Sequence, residues 1–134
     1  MAGKALSEYP IHLGRAGLAM SEPGFGDDMM SWYADYSARH ARDGVEGRLI
    51  SEYVFTQDWD SWERHPSGGE VVYCLSGSMT LHQEFANGRV ETTVLEAGQY
   101  AINAPGIWHT ADVEGEARAL FITAGAGTEH RPRC

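Results

Sequence analysis

The sequence predicts an all-β domain, a sandwich or barrel of short antiparallel strands, preceded by an arm and one short helix. Three observations predict it. From position 48 onward, runs rich in β-branched and aromatic residues alternate with turn residues roughly every eight to twelve positions. Asn87-Gly88 lies between two alternating runs, a hairpin signal whose type I′ form needs positive φ at both central residues. The 134 residues suffice for one domain, and four Trp, six Tyr and four Phe supply bulky side chains to bury.

Residues 1–30 show no sustained period and carry Pro10, Gly14, Gly17, Pro23, Gly24 and Gly26, the pattern of an ordered but irregular arm. Trp32, Tyr33 and Tyr36 then fall at helical spacing behind Asp28 or Ser31 as acceptor cap, so a helix is expected up to His40, with Gly44 as its stop. Arm and helix together form segment 1–45. The β domain is expected over 46–124, with strands at 48–55, 61–65, 70–76, 78–85, 90–95, 99–103, 110–113 and 117–123. Residues 125–134 return to Gly, Pro and charge and read as a tail.

The formal charge of −9 and the absence of any Lys or Arg run argue against nucleic acid and anionic membrane as partners. The longest wholly apolar stretch, Val71 to Leu75, is far below the ~18 residues of a membrane span. Two cysteines, Cys74 and Cys134, cannot form the disulfide framework of a small secreted domain. A cytoplasmic protein with Cys74 as a buried core thiol is the expectation. His12, His40 and His130, in arm, helix and tail, are expected to be solvated, and His82 to be either surface or pocket wall.

One group of residues carries chemistry. Glu63 and His65 are two apart on an expected strand and share a face; Glu70 follows the turn 66–69, and His109 follows a second turn at Ala104-Pro105-Gly106. Two imidazoles and two carboxylates suit a first-row divalent metal, and without one they form a general acid and base cluster. Each has a plainer reading: His65 as a hydrogen-bonded core histidine, Glu70 as a salt-bridge partner of Arg64 or Arg48, Glu63 as one of 19 surface acids.

These residues resemble the two motifs of the cupin superfamily. Glu63-x-His65, four residues to Glu70 and six to Gly77 match the first; Gly98, five residues, Ala104-Pro105-Gly106, two residues and His109 match the second. Glu63 stands where the family has its first His, Pro105 falls one place late, and Val113 with Asp112 beside it replaces the closing Asn. The resemblance covers residues 46–124 and implies a double-stranded β-helix, or jelly-roll barrel. It implies one divalent cation, Fe, Mn, Ni or Zn, on Glu63, His65, Glu70 and His109, with Glu63, His65 and His109 as the catalytic candidates. The expected function is a metal-dependent dioxygenase, isomerase or lyase acting on a small polar organic molecule. A non-catalytic, metal-free binding or regulatory module is the alternative. A homodimer is expected, with Trp32 and Tyr36 as candidate contacts.

Overall fold

The computed structural model describes residues 2–134. In chain order the strands are β1 Ile11–Leu13, β2 Ala19–Ser21, β3 Arg48–Phe55, β4 Ser61–Arg64, β5 Glu70–Ser76, β6 Ser78–Glu84, β7 Val90–Glu96, β8 Tyr100–Asn103, β9 Trp108–Asp112, β10 Ala117–Thr123 and β11 Glu129–Pro132, with helix α1, Met29–Arg39, after β2. They form two antiparallel sheets, ordered β2-β1-β3-β10-β5-β8 and β11-β4-β9-β6-β7. The all-β class is as expected, but the two sheets face one another without closing into a barrel.

Period-two alternation sets what lies between the sheets. Val72 and Cys74 on β5, Ala117, Ala119 and Phe121 on β10, Met79 and Leu81 on β6 and Ala111 on β9 all turn inward and are buried. Gly77 links β5 to β6 at φ 73°, where a Cβ would sit 2.1 Å from the Glu116 carbonyl oxygen, so this turn admits only glycine. Asp28 caps α1, its Oδ1 accepting from the Ser31 amide at 3.1 Å.

Three expectations need correction. The hairpin at Asn87-Gly88 forms, but only Gly88 has positive φ. The Phe85 carbonyl accepts from the Gly88 amide at 2.8 Å, and the Asn87 side chain accepts from the Arg89 amide at 3.0 Å. This is a three-residue loop ending on a left-handed Gly, not a type I′ turn. The arm contributes β1 and β2, and β1 pairs with β3. The tail contributes β11, which pairs with β4. Short strands at chain ends have too few residues to show a period, so backbone pairing decides them rather than pattern.

Trp32 is buried within its own chain, donating from Nε1 to the Pro23 carbonyl at 3.0 Å and stacking on Tyr36. Ile11, Ile50, Ile122, Val71 and Ile102 instead form one cross-strand row over five strands on the outer face of the six-stranded sheet. Tyr100 lies beside that row on β8, and Tyr100 and Ile102 are 64% and 58% exposed.

Candidate metal centre

Glu63, His65, Glu70 and His109 each bring one ligand-type atom within 4.8 Å of the others. Glu63 ends the inward row of β4 and is in register with His109 on β9; Glu70 opens β5. His65 and Glu70 are each 4% exposed and His109 is fully buried, while Glu63 is the half-exposed member, turned toward a cavity.

Hydrogen bonds on the far side of each ring fix which nitrogen points inward. His65 Nδ1 lies 2.8 Å from Thr128 Oγ1, whose own proton goes to the Gly125 carbonyl, so His65 Nδ1 is the donor. His109 Nδ1 faces the Ile107 carbonyl at 3.3 Å and donates likewise. In the neutral rings both Nε2 atoms therefore carry lone pairs directed into the cluster. His65 Nε2 is 3.2 Å from Glu63 and 3.1 Å from Glu70; His109 Nε2 is 3.1 Å from Glu70. Despite these distances neither Nε2 is aligned in a hydrogen bond with a carboxylate oxygen. Buried lone-pair atoms converging with carboxylates on a common point, rather than on each other, are the arrangement a divalent cation fits.

Charge is balanced locally. Burial by itself would raise the Glu70 pKa, but the imidazoles of His109 and His65 outweigh it and hold Glu70 below the usual carboxylate range. Burial likewise opposes protonation of His65, yet the Glu63 and Glu70 carboxylates push its pKa up to about 9. Asn103 donates to one Glu70 oxygen at 3.0 Å and Thr123 to the other at 2.7 Å. Glu70 does not pair with Arg64, which reaches Glu129 and lies over the Trp108 ring, nor with Arg48.

A cavity of about 870 Å³ opens beside Glu63, His65 and Glu70, walled by Tyr33 from α1 and by Leu49, Tyr53, Phe55, Trp59 and Phe121. The Tyr33 and Tyr53 hydroxyls hydrogen-bond to each other across it. Burial and the nearby Glu63 and Glu70 charges raise the Tyr33 pKa, so that its phenol keeps its proton. His82 lies outside this site, bonded to Thr92 and Asp112, and His130 is exposed. His12 and His40, expected in solvent, are buried and half-buried and stack at 3.6 Å.

Sequence reasoning missed Asn103, Thr123 and Thr128, which orient the four groups from behind. Their signal is register: Glu70 pairs with Asn103 across β5 and β8, and Thr123 ends the inward row of β10. Thr128 had no such signal, because it lies in the segment read as tail.

Two sheets packed face to face, with imidazoles and carboxylates gathered between their strands, define a double-stranded β-helix with a candidate metal centre. The chain belongs to the cupin family: the Cupin domain matches residues 56–125. No curated protein sequence matches. A recombinant oxalate oxidase in complex with glycolate is similar over 69% of this chain and 50% of its own, at 16% identity and TM-score 0.57. A protein with a double-stranded β-helix domain from Klebsiella pneumoniae is similar over 64% and 76%, at 22% identity and TM-score 0.53. Hydroquinone 1,2-dioxygenase from Sphingomonas sp. TTNP3 with 4-hydroxybenzoate bound is similar over 57% and 58%, at 18% identity and TM-score 0.51. The chain thus spans little more than half of the dioxygenase and half of the oxidase, and the likeness is one of fold.

Proposed function

We propose that this cupin is a metal-dependent enzyme of the dioxygenase, isomerase or lyase type, acting on a small organic molecule in the cavity. Glu63, His65, Glu70 and His109 would hold one divalent cation, Fe, Mn, Ni or Zn. The observation that carries this reading is the gathering of the two buried, unpartnered Nε2 atoms, their rings oriented by Thr128 and Ile107, with the Glu63 and Glu70 carboxylates within 4.8 Å of one another. Bound there, the cation would supply Lewis-acid polarisation of a substrate oxygen. The chain's own residues do the rest: Asn103 and Thr123 hold Glu70, Glu63 faces the cavity, and Phe55, Trp59 and Phe121 give the cavity an apolar wall.

The test is elemental analysis of tag-free protein after metal loading and removal of excess, in wild type, His65→Ala and His109→Ala. One equivalent in wild type is expected, with affinity falling more than ~100-fold in each variant, beyond the usual loss from removing an outer partner. Substoichiometric metal unchanged in both variants would leave the metal-free binding module as the reading.

The protein is further proposed to be a homodimer through the outer face of the six-stranded sheet. A row of five β-branched apolar side chains is self-complementary about a two-fold axis, and its exposed end at Tyr100 and Ile102 is apolar where a monomer would carry charge. Sedimentation should give a dimer at micromolar concentration and a folded monomer for Tyr100→Glu/Ile102→Glu. A monomeric wild type would refute the assignment.

A further inference from the structure

The cavity has a second polar end that the candidate metal centre does not use. His12 on β1 is 1% exposed, with Nε2 2.7 Å from Asp43 Oδ2 and Nδ1 2.6 Å from the Tyr36 hydroxyl. The other Asp43 oxygen accepts the Arg15 amide at 3.2 Å. A carboxylate only accepts, so His12 donates from Nε2; in the neutral ring Nδ1 is the acceptor and Tyr36 gives it its proton. The Tyr36 oxygen is left with acceptor capacity alone.

The pair is closely housed. A Cβ at Gly14 would fall 2.6 Å from Asp43 Oδ2, and one at Gly47 would fall 3.1 Å from His12 Cε1. His40 covers the other face of His12, with its Nε2 3.0 Å from buried Glu22, which also holds Arg39. His12, His40 and Asp43 are near enough to share an ion, but both His12 nitrogens are already engaged, so this group is not read as a metal site.

Register locates this end relative to the first. Thr123 bonds Glu70 on β5, pairs with Leu49 on β3, and Leu49 pairs with His12 on β1. Glu70 and His12 are thus three strand spacings apart on one sheet face, roughly 14 Å. Leu49, Tyr53 and Phe121 lie on the inner surface between them, and no Lys or Arg lines the cavity among the described residues.

We propose that Tyr36 is the acceptor of a second subsite, and that the cavity takes an uncharged, hydroxyl-bearing molecule with a ring-sized apolar body. The ligand hydroxyl donates to Tyr36 Oη, and the body rests on Leu49, Tyr53 and Phe121. With no Lys or Arg on the wall, and with His65 already flanked by Glu63 and Glu70, a free carboxylate finds no unpaired counter-charge here. His12 and Asp43 are positioning residues, because they set the direction of the Tyr36 proton. The subsite does not require a cation, so it stands apart from the metal reading.

Calorimetric titration of the full chain, stripped of metal with EDTA, compares phenol, anisole and benzoate. Anisole has the same ring and oxygen but no proton to donate. Phenol is expected to bind about tenfold tighter than anisole, the worth of one hydrogen bond, with no measurable benzoate binding. Tyr36→Phe, which keeps the ring on Trp32, should bring phenol within twofold of anisole, while His65→Ala leaves the preference intact. Asp43→Asn keeps the Arg15 contact through its oxygen and turns its amide toward His12. That moves the ring proton to Nδ1 and turns the Tyr36 proton outward, so the phenol preference should vanish while anisole still binds. Equal phenol and anisole affinity in wild type, a preference that survives Tyr36→Phe, or no binding of either would overturn the proposal. Failure to load metal with the phenol preference intact would sink the metal centre alone.

Discussion

Glu70→Ala is expected to destabilise the metal-free protein by about 3–5 kcal/mol, the usual cost of removing one partner from a buried charged pair. The carboxylate is 4% exposed and is contacted by His65, His109, Asn103 and Thr123. Truncation leaves two imidazoles, an amide and a hydroxyl without the carboxylate they face, and each unmet donor adds its own desolvation cost. Domains of this size have only ~5–15 kcal/mol of stability, so the urea midpoint should fall sharply. Glu70→Gln keeps the volume but removes the charge that holds the His65 proton, and should lie between wild type and Glu70→Ala. A loss under about 1 kcal/mol in Glu70→Ala would show that the four groups are not coupled through this residue.

Affinity for a divalent cation is expected to rise about tenfold per pH unit, close to 100-fold from pH 6.5 to 8.5, and to level off near pH 9. In the metal-free protein the proton and the cation compete for the same His65 Nε2 lone pair, and the flanking carboxylates raise the pKa of that proton to about 9. Below that value each unit of pH releases a tenfold larger fraction of competent site. Stability without metal has the opposite slope. The folded pKa of His65 lies above its unfolded value of ~6.5, so its contribution is fully present below pH 6.5 and is lost as pH rises toward 9. Glu70, held low, contributes above the ordinary carboxylate pKa, and that contribution is lost only on strong acidification. Competition titrations with a chromogenic chelator across this range check the first slope, and urea melts in EDTA check the second. A pH-independent metal affinity would exclude His65 as a ligand.

Much of the fold was legible in the sequence because a half-buried strand must alternate. The eight central strands lie within about two residues of their expected bounds, since inward Val72, Cys74, Ala119 and Phe121 leave the register no freedom. Glu63, His65, Glu70 and His109 could be nominated because two of them share a strand face and turns at 66–69 and 104–106 deliver the others. The sequence also determined the mostly-β class with one short helix and the net charge of −9, for these follow from composition and period.

Tertiary structure alone decided the rest. Whether Glu70 meets Arg64 or the imidazoles depends on the pairing of β5 with β8 and β10, which brings Asn103 and Thr123 to its two oxygens. Which nitrogen of His65 faces inward depends on Thr128, supplied by a chain end that shows no period of its own. His12 looked like a solvated histidine in an irregular arm. It is buried because β1 docks on β3 and carries it under α1, where Tyr36 and Asp43, 24 and 31 residues away, close on it. Local pattern records which face of a strand is apolar; it holds no record of which distant hydroxyl or carboxylate will complete a buried polar group, because that partnership exists only after the sheets have packed.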